Sequence, residues 1–220
     1  MNRRFLAWIA ACFAVLLAVG LLGADRSLAQ WVRAGGYENL PALTATLNTL
    51  DTLSGLHVWY WLAGCITLAF GLIATQVARN ARWPRVLVMA ALVQFATIGS
   101  MILGKGLFGR LRPAEVLASG DWSQIWFTGG GSFPSGHSSF YFGLLLPIAA
   151  ACPLWWQRLL LLTIPLFAII ARIDMAKHFL SDVSLSALLA ALYALLLATL
   201  LRHWLPHAPA QPRPSQSARA

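Results

Sequence analysis

Charge is what this sequence has least of. Only 10% of its 220 residues are Asp, Glu, Lys or Arg, against about 25% in an ordinary soluble domain. Acids are the scarcer sign, with 7 Asp and Glu against 16 Lys and Arg, for a net charge of +9. A hydrophobic share of 59% and a mean hydropathy of +0.68 exclude both a disordered polyelectrolyte and a water-soluble globule. The 3 cysteines, Cys12, Cys65 and Cys152, lie in or beside apolar runs without metal-like spacing. They read as small apolar residues with no disulfide role. No acidic cluster and no His/Cys spacing offers a metal site, so no metal and no cofactor is expected. The apolar runs are continuous rather than alternating, which argues against a β-barrel. No internal repeat is visible.

Long apolar runs take the place of charge. They predict an all-α, polytopic membrane protein of six transmembrane helices, each near the roughly 20 residues that a span needs. The expected spans are Phe5 to Gly23, His57 to Ala78, Arg85 to Leu103, Ser138 to Cys152, Leu154 to Ala171 and Asp182 to Leu205. The fourth and fifth are short or interrupted by Pro147 and Pro165, which neighbouring helices can accommodate. Residues 1–205 read as a single domain, and the Pro/Ser/Gln-rich tail 206–220 as disordered and cytoplasmic. The basic start and the Ser27-Leu28-Ala29 site resemble a secretory signal peptide. The first apolar run is longer than the usual signal core of about 7–15 residues, so an uncleaved anchor is the preferred reading.

The net positive charge is read as topology rather than as nucleic-acid binding. With a cytoplasmic N-terminus, Arg3, Arg4, Arg79, Arg82, Arg85, Arg158, Arg202, Arg213 and Arg219 fall inside. That is the sign the positive-inside rule requires. Arg26, Arg33, Lys105, Arg110, Arg112, Arg172 and Lys177 fall outside, together with every acid. Cations on the outer face run against the general trend and need a cause. The long outer loop from Ala24 to Leu56 carries Leu40, Leu43, Leu47, Leu50 and Leu53 at helical spacing. It suits either a helix lying at the membrane surface or a packing helix above the spans. Trp59, Tyr60, Trp61, Trp122, Trp126, Trp155 and Trp156 are expected at the membrane interface.

Three stretches of the outer face carry chemistry. In "KGLFGRLRP", Lys105 and Arg112 are seven apart. On a continuous helix they would share a face, with Pro113 ending it. In "GGGSFPSGH", three glycines permit close approach to a ligand. Pro134-Ser135-Gly136-His137 then opens the fourth span, whose helix N-terminus is a ready anion site. In "ARIDMAKHFLSD", His178 and Asp182 are four apart and stack on one helical face. A carboxylate there can fix the imidazole tautomer and leave the other nitrogen free as a nucleophile. The topology brings all three stretches to one side of the membrane. Cations, a helix mouth, two histidines and a carboxylate suit a phosphate and its transfer.

Lys105-x6-Arg112-Pro113, then Pro134-Ser135-Gly136-His137, then Arg172-x5-His178-x3-Asp182, resembles the three-part signature of the type 2 phosphatidic acid phosphatase superfamily. The motifs cover residues 105–182, and Ala171 stands where the family often has Ser. The resemblance implies that His178 attacks phosphorus and forms a phosphohistidine, with Asp182 orienting it. It implies that His137 protonates the leaving oxygen and then activates water. It implies that Lys105, Arg112, Arg172, Ser135 and the Gly136 N–H hold the phosphate. Lys177, beside His178, would help keep that imidazole neutral.

The function expected is hydrolysis of a lipid phosphomonoester or diphosphate: undecaprenyl diphosphate, lipid A phosphate, phosphatidylglycerol phosphate or phosphatidic acid. The expected setting is a bacterial inner membrane, with the site facing the periplasm and both termini cytoplasmic. The partners expected are the lipid phosphate substrate and membrane lipids, with no nucleic acid and no obligate protein partner. The alternatives are a lipid phosphotransferase using the same site, and a non-catalytic transporter or scaffold.

Overall fold

The structure is a computed structural model that describes residues 1–201. The expected tail 206–220 and the end of the expected sixth span lie outside the described residues. Among those described, all regular structure is helical: α1 (Arg3–Val19), α2 (Asp25–Ala34), α3 (Pro41–Leu53), α4 (Leu62–Val77), α5 (Arg82–Phe108), α6 (Pro113–Ser119), α7 (Gly136–Ala151), α8 (Trp155–Asp174) and α9 (Leu180–Leu200).

Four stretches, Arg3–Ala34, Arg82–Ser119, Trp155–Asp174 and Leu180–Leu200, contain helix long and apolar enough to cross a membrane. The α4 and α7 helices have 16 residues each. At about 1.5 Å per residue they fall short of the roughly 30 Å hydrocarbon core. Neither proline breaks its helix: α7 continues past Pro147 and α8 runs 20 residues through Pro165. The helix does not stop where the first apolar run ends at Gly23. It passes through a π-helical turn at Gly20–Ala24, where Gly23 has φ 146°, and continues as α2. That kink carries Asp25 inward, where it is buried.

The α9 helix packs on α1, α7 and α5, and α5 packs between α4 and α7. Its Ala187, Ala190, Ala191 and Ala194 are fully buried. Small residues let helix backbones approach closely, which is how apolar helices associate where water gives no driving force. Leu6, Phe13, Val93, Phe142, Leu146 and Val183 fill the rest of this core. Leu22, Val77 and Leu103 are among many large apolar side chains left exposed on the outside, the pattern of a lipid-facing surface.

The α3 helix packs onto the bundle. Its Leu47 is buried, with Leu56 just beyond the helix, among Ile98, Met101, Phe140, Tyr141 and Ala168. Its entry is pinned to the end of α8, because Leu40 N–H donates to Asp174 Oδ2 at 2.9 Å and Asn39 N–H to the Asp174 carbonyl at 2.9 Å. Of the two readings of the Ala24–Leu56 loop, the packing helix is the one this structure supports.

Candidate active site

The ends of α5 and α8 and the beginnings of α7 and α9 meet at one end of the bundle. Lys105 lies in the last turn of α5, Arg172 in the last turn of α8, Gly136 opens α7, and His178 lies two residues before α9. Ser135 N–H donates to the Asp182 carbonyl at 3.1 Å, and Ser186 Oγ to the Ser135 carbonyl at 2.9 Å. These bonds tie the mouths of α7 and α9 together.

Lys105 and Arg112 reach this end by a route other than the one expected. They do not share a helix face. The α5 helix stops at Phe108 because Gly109 takes the left-handed conformation (φ 47°, ψ 38°) and donates its N–H to the Lys105 carbonyl at 3.1 Å. Pro113 begins α6 instead of ending α5, in the N-terminal position where its missing N–H costs nothing. The glycine run also serves a purpose other than ligand approach. Residues 127–132 lie along 108–110, with bonds from Phe127 N–H to Phe108 O (2.8 Å), Gly130 N–H to Gly109 O (2.9 Å) and Ser132 N–H to Arg110 O (2.9 Å). A side chain at Gly130 would collide with the Arg110 backbone and lie 2.7 Å from Leu111 Cα. The glycine lets two backbones touch, and that contact sets Ser132 in place.

Ser132 then governs His178. His178 is 3% exposed, and its Nδ1 lies 2.8 Å from the Ser132 carbonyl. A carbonyl only accepts, so Nδ1 carries the proton and Nε2 keeps its lone pair. Asp182, expected to orient this ring directly, stands 3.6 Å from Nδ1. It acts a step further back. Its Oδ2 accepts from Ser132 Oγ and from the Phe179 N–H (2.7 Å), and its Oδ1 from Arg110. Burial pushes the His178 imidazole down to about 4, against the pull of Asp182 and with Arg172 and Lys105 adding to the burial.

Arg110, not singled out from sequence, is 2% exposed and joins two carboxylates. It donates to Asp182 Oδ1 at 2.5 Å and, through its other terminal nitrogen, to Asp25 Oδ2 at 2.7 Å. Its guanidinium lies over the rings of Trp126 (4.3 Å) and Phe179 (4.1 Å). Asp25 also accepts from Ser181 N–H at 2.9 Å, so the kinked first helix is tied to the start of α9. Trp126, expected only as an interface ring, is here a cation–π partner of Arg110. Arg110→Met is expected to strand two buried carboxylates and cost about 3–5 kcal/mol of stability. Thermal unfolding in detergent would measure it, and a wild-type transition would refute it.

At the mouth of α7, Ser135 caps the helix: its Oγ accepts from Ser138 N–H at 3.5 Å and its carbonyl from Ser139 N–H at 3.1 Å. The first N–H groups of a helix have no acceptor within it. Those of Gly136 and His137 have no acceptor within α7, the condition under which a helix mouth can take an anion. Ser135 itself is fully buried. Arg172 has a buried Nε with no partner among the described residues. Lys105, Arg112 and Arg172 lie near enough for their charges to repel, which favours an anion among them. His137 sits beside them with its Nε2 2.8 Å from Asp51 Oδ2 of α3. Asp51 is buried although it lies on a loop helix. Burial alone would raise its carboxyl, but hydrogen bonds from His137 and Tyr141 hold it below the usual carboxylate range.

The arrangement has one unprotonated imidazole nitrogen, one imidazole paired with a carboxylate, free helix N–H groups and three cations. It can bind a phosphate dianion and transfer it. The family model described as the PAP2 superfamily matches residues 85–206, more than half of the chain. The chain belongs to the PAP2 superfamily. Neither a curated protein nor a solved structure matches it. Membership suggests phosphatase chemistry on phosphoesters for this PAP2 protein. The matched region includes the residues expected to be functional, from Lys105 to Asp182, but not Asp25 or Asp51, which reach the site from α2 and α3.

Proposed function

We propose that this PAP2 protein is an integral-membrane lipid phosphatase that works through a phosphohistidine on His178. The observation that carries the reading is the Ser132 carbonyl on His178 Nδ1, which leaves Nε2 unprotonated at the end of the bundle where α7 begins. Lys105, Arg112, Arg172, Ser135 and the Gly136 N–H hold the phosphate oxygens. His178 Nε2 attacks phosphorus, the P–O bond to the lipid breaks, and His137 gives its proton to the leaving oxygen. Water then attacks the phosphohistidine, passing a proton to His137 as the P–N bond breaks and phosphate leaves. The two imidazoles start in opposite protonation states, as acid and nucleophile must. Asp182, held by Ser132 and Arg110 with its Oδ2 3.6 Å from Nδ1, steadies the positive charge that develops on His178.

The substrate class follows from the setting. Helices long and apolar enough to cross a membrane surround a site at one of their ends. A head group can enter there while the acyl or isoprenyl chain stays in the bilayer. In the proposed arrangement α1, α4, α5, α7, α8 and α9 are the six spans of a bacterial inner-membrane protein, with the site on the periplasmic face. The substrates proposed are undecaprenyl diphosphate, phosphatidylglycerol phosphate, phosphatidic acid or lipid A phosphate.

The test is phosphate release by purified protein in detergent, from these four lipids side by side and without added metal. Release from at least one lipid, blocked by vanadate and indifferent to EDTA, is the expected outcome. Strong inhibition by EDTA would remove the metal-free mechanism. Phosphate appearing on an added lipid alcohol instead of in water would turn the reading to a phosphotransferase.

A further inference from the structure

We infer that Asp51, on α3 of the first outer loop, is a positioning residue for His137: it holds the ring through Nε2, keeps it protonated and points its Nδ1–H at the leaving oxygen. The inference rests on the phosphatase reading above and deepens it.

Four observations support it. Asp51 Oδ2 is 2.8 Å from His137 Nε2, so a carboxylate, which only accepts, defines that nitrogen as the protonated one. Its Oδ1 accepts from Tyr141 Oη at 2.8 Å, and Tyr141 is one helical turn beyond His137 on α7. The carboxylate is therefore gripped at both oxygens by one face of α7. Asp51 is 2% exposed although it lies on a loop helix. Burying a carboxylate on a surface element is costly unless it is paired and hydrogen-bonded. Finally, α3 is fixed at both ends: by Asp174 at its start, and at its finish by the Ser54 Oγ–Tyr141 Oη contact of 3.3 Å. The helix is held so that Asp51 meets the ring.

The charges around His137 oppose one another. Burial disfavours its protonated form, the Asp51 carboxylate favours it, and Arg172 and Lys105 add to the burial. His57, half exposed, has its Nε2 3.7 Å from the same Asp51 oxygen and its Nδ1 3.2 Å from Thr52 Oγ1. The Tyr60 hydroxyl lies near Gly136, 2.9 Å from where a side chain would start. Among these groups Asp51 is the one carboxylate bonded to the ring. Without it, burial and two cations that are needed to bind phosphate would strip the proton that the leaving group needs.

The experiment compares wild type, Asp51→Asn and Asp51→Glu on a lipid phosphate and on 4-nitrophenyl phosphate, whose leaving group departs without a proton. For Asp51→Asn on the lipid, kcat is expected to fall about tenfold or more with KM little changed. A general acid works only while protonated, and losing the carboxylate lowers the pH at which His137 loses its proton. The alkaline limb of kcat should therefore move to lower pH. On 4-nitrophenyl phosphate the defect should shrink several-fold. Asp51→Glu keeps the carboxylate and should keep the wild-type alkaline limb, which also covers the case in which Asp51→Asn does not fold.

Equal losses on both substrates with an unmoved pH profile would assign Asp51 a merely structural role and overturn the inference, as would an Asp51→Glu profile that moves like that of Asp51→Asn. His178→Gln separates the two levels. If it retains turnover the phosphohistidine mechanism itself fails. If it is inactive while Asp51→Asn behaves as wild type, only the role of Asp51 fails.

Discussion

His178→Gln is expected to abolish turnover, with phosphate release falling on the order of 10⁴-fold or more, beyond the loss for removing one acid or base. In free energy a 10⁴-fold loss is about 5.4 kcal/mol of barrier. Gln is the informative replacement because it is near in size and its amide can still donate to the Ser132 carbonyl. The buried position then keeps its hydrogen bond and loses only the nucleophilic nitrogen. The same residue fixes a pH limb. Its imidazole is held near 4, against an ordinary value of about 6.5. Histidine is nucleophilic only when unprotonated, so kcat/KM of the free enzyme should hold as pH falls past 6.5 and drop only near 4. An acid limb near 6.5 would mean that the ring is not buried against Ser132 in the working enzyme. Trapped labelled phosphate on the wild-type chain, absent from His178→Gln, would complete the test. Turnover by His178→Gln at more than a few percent of wild type would refute the nucleophile assignment.

The helical class and the positions of the apolar runs were legible because a bilayer demands long uninterrupted apolar segments. The sequence also carried the residues that converge: Lys105, Arg112, Ser135, Gly136, His137, Arg172, His178 and Asp182 all reach one end of the bundle. The local geometry was less legible. A spacing of seven between Lys105 and Arg112 suggested one helix face, but a single left-handed glycine at 109 ends the helix between them. Three glycines suggested a ligand loop, but Gly130 is pressed against the Arg110 backbone.

The largest omissions are of two kinds. The partner of His178 Nδ1 is a main-chain carbonyl, that of Ser132, and a carbonyl has no residue-type signature. Arg110 pairs with Asp25 across 85 positions, and His137 with Asp51 across 86, so no local spacing could announce either contact. One signal did exist. Every acid of this acid-poor chain falls on the outer side of the expected topology, together with seven cations, Arg26, Arg33, Lys105, Arg110, Arg112, Arg172 and Lys177. Two of those acids, Asp25 and Asp51, turn out to be buried partners at the site.

His137→Ala is expected to separate the two halves of the reaction. On a lipid phosphate the leaving alkoxide needs a proton, so the first step should slow by about 10²–10⁴-fold. On 4-nitrophenyl phosphate that need disappears, and His178 should still be phosphorylated at a rate near that of wild type. The second step is different, because water must lose a proton to attack the phosphohistidine whatever the first leaving group was. The variant should therefore release a stoichiometric burst of nitrophenol and then stall with phosphate held on His178. Wild type, with His137 reset by Asp51, should show no such stall. Rapid-mixing absorbance would read the burst, and labelled phosphate the stalled enzyme. Steady turnover of the aryl substrate by His137→Ala would mean that another group activates water. A missing burst would mean that His137 positions the phosphate for attack as well as moving the proton, and the loss on the lipid would then exceed the acid–base range.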